Sequence, residues 1–439
     1  MWLLPLFSPI ARAAAFVYYR GRFAGEHVPA KGPVLLVANH PNSLLDPTLV
    51  VAAAHRPVRF LAKAPLFHDA RIGWLIRAAG AIPVHRRTDD PAQMGRNEDA
   101  FRAVHDALAQ GAAVGIFPEG VSHSEPSIVP IKTGAARIAL GAAAITGAPF
   151  PIIPVGLVFR RKHVFRSDAL VFRGAPIPWD DVAHCGVEDA GAVRELTDRI
   201  AEALRSVTLN LESWEDRPLV ETAVRVVEAE RGAPSDPAER VARLEITTRI
   251  LAEVRRTEHA EGTRLARDLE SYRRRLQRLR LRPSDLVADV RLSRGVSWAA
   301  RRLHLLLPAG LLLAMLGTAL FWLPYKVTGM LVHSLRLPED VRSTWNLLTG
   351  MVLYALWVGV LGVAAGIWLG WVAALACVVL VPIIGVLGLL MRERWRHAWS
   401  DARRFFLLRS RGSLVAALRE RQRDLHARLD ALFEAFMRR

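Results

Sequence analysis

From Leu347 to Met391 the chain runs 45 positions without a charged residue. A helix needs about 20 apolar residues to cross a bilayer core, so this stretch is long enough to cross twice. Gly362, Gly366 and Gly370 near its middle offer a turn, and a transmembrane hairpin over 347–391 is expected. Arg342 stands before it, and Arg392, Arg394, Arg396, Arg403 and Arg404 follow it. The positive-inside rule puts both ends in the cytoplasm. Leu305–Tyr325 is also uncharged, but Arg301-Arg302 and Lys326 flank it and Pro308 and Pro324 lie inside its ends. A third crossing would leave one arginine set on the wrong side, so a re-entrant or shallow helix is expected at 305–325, within a membrane region of 297–399. The tail, 400–439, reads as a basic amphipathic helix along the cytoplasmic surface.

The N-terminal half has a different texture. Residues 24–215 alternate short apolar runs with helical patterns, which predicts an α/β domain. Strands are expected at 33–39, 57–62, 79–85, 112–117, 151–159 and 168–173, and helices at 47–55, 70–78, 92–110, 133–146 and 188–212. Residues 1–23 are apolar but broken by Pro5, Pro9 and Arg12, with Trp2, Phe7, Phe16, Tyr18 and Tyr19 among them. No basic segment precedes them as in a signal peptide, and an interfacial membrane helix is expected. Between the two halves, 216–296 is helical and heavily charged, broken at Gly232-Ala-Pro-Ser-Asp-Pro237, and reads as a helical hairpin.

The formal charge is +17 and only five lysines are present, four of them (Lys31, Lys63, Lys132, Lys162) in the α/β half. No helix-turn-helix, zinc finger or aromatic-rich RNA motif accompanies the charge, so nucleic acid is not expected as a partner. An anionic membrane surface or a phosphorylated substrate fits better. Cys185 and Cys377 are isolated, which argues against a disulfide framework or a metal site.

Within the α/β half, Val34-Leu-Leu-Val-Ala-Asn-His40 is a buried-strand pattern ending in histidine, and Asp46-Pro47 follows as a helix start with Asp as N-cap. A short loop can fold the carboxylate back onto the imidazole, leaving the other ring nitrogen as an acceptor, the arrangement of an oriented general base. Gly80-Ala-Ile-Pro-Val-His-Arg86-Arg87, Ile116-Phe-Pro118-Glu119-Gly120 and Ile152-Ile-Pro154-Val-Gly156 follow, each a strand-like run closed by Gly, Pro or charge. Ligands collect at such strand ends.

These four segments, in this order over residues 20–210, resemble the glycerolipid acyltransferase family. The resemblance implies a mixed sheet flanked by helices, with transfer of a fatty acyl group from acyl-CoA or acyl-ACP to glycerol 3-phosphate or a relative. No bound cofactor is implied. His40 and Asp46 become catalytic; Gly80, Arg86 and Arg87 form the block that meets the acceptor's phosphate. Glu119 and Gly120 bind glycerol phosphate, and Pro154 shapes the acyl-donor channel. Relatives often continue the third block Thr-Arg-Ser, whereas this chain has Val121-Ser122-His123-Ser124, so His123 or Lys132 is expected to supply the missing cation. Many relatives place four residues between His and Asp. Five stand here, as in the branch resembling fungal glycerol-3-phosphate/dihydroxyacetone-phosphate acyltransferases.

The expectation is therefore a cell-membrane acyltransferase of phosphatidic acid synthesis with its catalytic domain in the cytoplasm. The alternative acceptor is 1-acylglycerol 3-phosphate. A thioesterase, or a non-catalytic lipid-binding module, is the rival from outside the class. Acyl length, donor type and oligomeric state are not written in the sequence.

Overall fold

The computed structural model describes residues 4–70, 72–85, 97–232, 236–287 and 309–438. They form two compact units. One holds residues up to Trp214 with Asp236–Glu245 and Pro338–Thr344; the other holds Glu215–Ser235, Ile246–Leu337 and Trp345–Arg439.

The first unit is built on a seven-stranded mixed sheet. Its strands are β1 (Arg20–Gly25), β2 (Val34–Ala38), β3 (Val58–Lys63), β4 (Ile82–Val84), β5 (Ala113–Ile116), β6 (Ile152–Phe159) and β7 (Asp168–Arg173), in the order β1-β7-β6-β2-β5-β3-β4. Only the β6–β7 pairing is antiparallel among the described strands. Helices α1 (Leu4–Tyr18), α2 (Leu45–Ala54), α3 (Pro65–His68), α4 (Gly73–Ala78), α5 (Asn97–Ala109), α6 (Gly134–Thr146) and α7 (Ala190–Val207) accompany the sheet. Leu35 and Val37 of β2 share a core with Val104 and Leu108 of α5, Ile138 and Leu140 of α6, and Leu196, Ile200 and Leu204 of α7. Side chains alternate along a strand, and Val34, Leu36 and Ala38 are equally buried, so both faces of β2 are covered. That burial is why β2 reads as a continuous apolar run rather than an alternating one.

The six expected strands are present, and β1 is additional. Arg20-Gly-Arg-Phe lacks an apolar face because β1 is an edge strand. It is held by parallel pairing to β7 and by an ion pair from Arg20 Nε to Asp168 Oδ1 at 3.1 Å.

In the second unit, α8 (Arg217–Arg231), α10 (Ala260–Leu279) and α11 (Pro283–Val287) pack with α15 (Gly412–Met437). The charged region is thus not a simple hairpin. Its second arm is interrupted: α9 (Pro237–Arg256) ends near Thr257, and α10 starts at a cap that sequence did not signal, where the His259 ring accepts from Gly262 N at 3.0 Å. The tail also differs from the expected surface helix. Val415, Leu418, Leu425 and Leu429 are buried with Leu265, Leu269, Tyr272 and Leu276, because the apolar stripe of α15 has protein to cover it. Buried Gln422 links Tyr272 OH (2.5 Å) to Glu230 Oε1 (2.6 Å), so its amide oxygen and nitrogen each have a partner in that core.

Among the described residues, three helices are long and apolar enough to cross a membrane: α12 (Ala309–Ser334), α13 (Glu339–Leu369) and α14 (Trp371–Ser410). Helix α12 continues through Pro324 and Lys326 instead of ending there. A single residue, Gly370 at φ +91°, separates α13 from α14, a backbone conformation natural only to glycine.

Candidate active site

His40 lies two residues beyond β2, and Glu119 three beyond the neighbouring β5, at the carboxyl ends of adjacent parallel strands. Strand β2 ends because the Asn39 side chain replaces the backbone ladder, donating to Leu157 O (3.1 Å) and accepting from Leu157 N (2.7 Å). The chain then turns out of the sheet, and four contacts fix His40. Its backbone N–H donates to Glu119 Oε2 at 2.6 Å, and its carbonyl accepts from His123 N at 3.1 Å. Its ring stacks on Phe117, centroids 4.0 Å apart and 10° from parallel, and Phe117 stacks in turn on Phe60. Its Nδ1 lies 2.9 Å from Asp46 Oδ2.

A carboxylate partner makes Nδ1 the protonated nitrogen, so Nε2 carries the free lone pair. Asp46 is fully buried and its Oδ2 also accepts from Asn42 N at 2.6 Å. Burial raises its pKa; the hydrogen bonds from His40 and Asn42 pull the other way. Asp46 is not the N-cap that its position before Pro47 suggested. Helix α2 begins at Leu45 after Leu44 in the right-handed region, with no side-chain cap. Turns from Asn42 and Ser43 start the helix early (Leu45 N to Asn42 O, Asp46 N to Ser43 O), which frees the carboxylate for the histidine. Pro47 then sits in the first turn, where no N–H is needed.

The third block acts as a brace. Both Glu119 oxygens are used within the protein, Oε2 by His40 N and Oε1 by His123 Nε2 at 2.8 Å. The carboxylate raises the pKa of His123, whose Nδ1 accepts from Glu125 N. Two engaged nitrogens leave His123 poorly suited to be a second base. Gly120 has φ +76°, and a Cβ there would meet Lys132 Nζ at 2.6 Å, so the lysine lies across a glycine surface. Gly80 has φ +68° and its carbonyl accepts from Arg59 Nε at 3.1 Å. Arg86 and Arg87 lie outside the described residues. Pro154 is buried in β6 with its ring against Gly174, where a Cβ would meet it at 2.9 Å. This is a packing position in β6. Among the described residues no group of three or more His, Cys, Asp or Glu could hold a metal.

An acyltransferase family profile matches residues 20–158, the segment that carries β1 to β6 and every contact of His40 just described. Over 133 residues the chain is 37% identical to yeast (Saccharomyces cerevisiae) glycerol-3-phosphate O-acyltransferase 2, covering 30% of this chain and 18% of that protein. It is 28% identical over 181 residues to the Bacillus subtilis 1-acyl-sn-glycerol-3-phosphate acyltransferase, covering 40% of this chain and 84% of that one. Residues 20–158 thus carry an acyltransferase domain, similar to those of glycerolipid acyltransferases. It matches under a fifth of the yeast relatives' length. The crystal structure of the Thermotoga maritima 1-acyl-sn-glycerophosphate acyltransferase is 19% identical and covers 45% of this chain and 75% of that one, at a TM-score of 0.32, too low to bear on the fold.

Two residues of this site, Phe117 and Asn42, were not singled out by sequence, and a third, Lys162, stood out only as a weaker candidate for donor or headgroup contacts. Phe117 was quoted only as part of its block, yet it sets the plane of the imidazole. Asn42, fully buried, carries the N–H that holds Asp46, and its Nδ2 donates to Tyr19 OH at 2.6 Å. Lys162 donates to Pro41 O at 3.1 Å and to Ser124 Oγ at 2.5 Å. Only the last had a signal, as one of few lysines in an arginine-rich chain.

Proposed function

We propose that this protein is a membrane-bound O-acyltransferase of phosphatidic acid synthesis. It would move a fatty acyl group from acyl-CoA or acyl-ACP to glycerol 3-phosphate or dihydroxyacetone phosphate. The observation that carries the reading is the His40–Asp46 pair, whose geometry leaves Nε2 as the acceptor. Nε2 takes the proton of the acceptor hydroxyl as its oxygen attacks the thioester carbonyl, and Asp46 stabilises the imidazolium that forms. The tetrahedral intermediate expels thiolate, which takes the proton back from His40. No metal step is needed, because the thioester supplies the activation. Arg86, Arg87, His123 and Lys132 are assigned to the acceptor's phosphate. The yeast relatives' names favour glycerol 3-phosphate; the Bacillus relative, matched over most of its length, favours 1-acylglycerol 3-phosphate as the second reading.

A labelled acyl-transfer assay on protein purified in detergent, offering each acceptor separately and none, tests this. Acceptor-dependent product that vanishes in His40→Ala supports it. Acyl release without acceptor makes the protein a thioesterase, and no turnover at all leaves a lipid-binding module.

The catalytic unit is proposed to face the cytoplasm of the cell membrane. Support comes from the arginines flanking the hairpin and from the packing of the second unit. Helices α8, α10 and α11, before the apolar region, share one core with α15, after it. Both flanks therefore lie on one side of the bilayer, and the crossings between them number an even count. Asp289, Arg291, Arg294, Arg301 and Arg302 make residues 288–302 too charged for another span. Helices α13 and α14, joined at Gly370 alone, cross together or not at all, so α12 does not cross. A membrane-impermeant thiol reagent applied to sealed vesicles, with single cysteines placed at Ser334, Gly370 and Ser410, tests the topology. Labelling of 334 and 410 from the same face, and of 370 from the other, is expected; opposite labelling of 334 and 410 refutes it.

A further inference from the structure

Lys162 lies in the turn between β6 and β7, outside the four family segments, yet it touches two of the loops that build the site. Its ammonium donates to Pro41 O, next to the base, and to Ser124 Oγ, next to His123. Its own carbonyl is held from behind, accepting from Ser343 Oγ at 2.7 Å and from Tyr19 OH. That same Tyr19 hydroxyl accepts from Asn42 Nδ2 at 2.6 Å, and Asn42 N holds Asp46 Oδ2. Tyr19, Asn42 and Ser343 are all completely buried. The two ends of Lys162 thus close a ring around Pro41 and Asn42, the dipeptide between the base and the rest of its loop.

We propose that Lys162 is a positioning residue, clamping Pro41–Asn42 against the 122–124 loop so that His40 and Asp46 stay in register. The proposal rests on the general-base reading above. The loop needs such a clamp because it contains strain of its own: Ser43 adopts φ +46°, in the left-handed region that disfavours residues with a side chain. An ammonium is suited to the task, since three donors on one atom can satisfy two acceptors from different loops. The rival role for the same charge is direct contact with the acceptor's phosphate through its third N–H.

The kinetics of Lys162→Met separate the two. Methionine preserves the stem and removes every donor. Misplacing a catalytic group by about 1 Å costs on the order of a hundredfold in rate, so kcat should fall about tenfold to a hundredfold. The Michaelis constants of acceptor and donor should each change less than about twofold, because a positioning loss falls on the transition state and leaves ground-state binding intact. Lys162→Arg, which keeps donors, should recover part of kcat. Ser124→Ala, which removes one of the two acceptors at a partly exposed site, should show a smaller loss with the same split, and it decides the matter if Lys162→Met does not fold. A raised acceptor constant at unchanged kcat overturns the clamp and makes Lys162 a phosphate ligand. Wild-type kcat in both Lys162→Met and Ser124→Ala beside an inactive His40→Ala overturns the clamp alone, and an active His40→Ala overturns it together with the base assignment.

Discussion

Replacing Asp46 by asparagine should separate catalysis from stability. The carboxylate has no exposed surface; its Oδ2 accepts from His40 Nδ1 and Asn42 N, and its Oδ1 has no hydrogen-bond partner. An amide oxygen in the Oδ2 position would accept both hydrogen bonds, so the loop and the start of α2 keep their shape. What disappears is the charge that steadies the imidazolium while His40 holds the acceptor's proton. General-base assistance is worth about a hundredfold to ten-thousandfold, and loss of the orienting carboxylate in a hydrolytic triad costs about ten-thousandfold. A fall in kcat between those limits, roughly 3–5.5 kcal/mol at about 1.36 kcal/mol per decade, is expected. Stability should move the other way or not at all. Burial raises the folded-state pKa of Asp46 above its ordinary value of 3.8. The ionised group therefore destabilises the fold at neutral pH, and this penalty is absent below 3.8 and grows as pH rises through the folded-state pKa. Asp46→Asn should melt at or above wild type at pH 7, with the advantage shrinking toward pH 4. Turnover assays and thermal melts from pH 4 to 8 on the same preparations check both halves. A kcat within tenfold of wild type, or a melting point lower by more than about 4 °C (about 1 kcal/mol for a domain of 150–250 residues), would refute the reasoning.

Arg86→Ala should raise the acceptor's Michaelis constant about tenfold to a hundredfold while leaving that of the donor unchanged, since a charge-assisted phosphate contact is worth roughly 1.5–3 kcal/mol; Arg86→Lys should restore only part. Initial-rate kinetics varying each substrate decide it, and equal effects on both would point to a structural arginine. For His123→Gln, the expected signature is in the pH dependence of melting. Pairing with Glu119 raises the histidine's pKa above 6.5, so its stabilisation is complete below that pH and fades as pH climbs through the folded-state pKa. The gap in melting temperature between wild type and variant should therefore narrow from pH 6 upward, and a constant gap would contradict the pairing. Leu425→Ala should destabilise the second unit by about 2–5 kcal/mol, because Leu425 is wholly buried; an unchanged melt in detergent would return α15 to the membrane surface.

Elements with a continuous apolar run were legible from the residues alone, and β2, β5 and β6 are where they were expected. Elements whose stability comes from elsewhere were not. The edge strand β1 is held by backbone pairing and one ion pair, so its residues carry no pattern. The fate of the tail could not be read for a complementary reason. An amphipathic stripe states that one face must be covered, and lipid and a helix bundle are equally apolar covers. Only the buried Leu418, Leu425 and Leu429 distinguish them. At the site, the pairing of His40 with Asp46 followed from a strand end and a nearby carboxylate. The brace could not, because Glu119 and His40 are 79 positions apart and become neighbours only through β2–β5 register.

That register also connects two departures from the family pattern that look independent in sequence. The loop from His40 to Asp46 carries one residue more than in many relatives, and the third block has Ser122 where relatives often have arginine. In the structure these positions meet. Ser43, in the longer loop, takes the left-handed conformation that absorbs the extra length, and its backbone N–H donates to Ser122 Oγ at 3.1 Å. An arginine at 122 has no acceptor atom, so it would leave that N–H without its partner while adding a long side chain beside the loop. A small hydroxyl both receives the strained residue and leaves room for it. The longer loop and the serine at 122 thus meet at one contact, where an arginine could not take the place of the hydroxyl. Lys132, lying over Gly120, and Lys162, on Ser124 Oγ, are cations that remain on this side of the site.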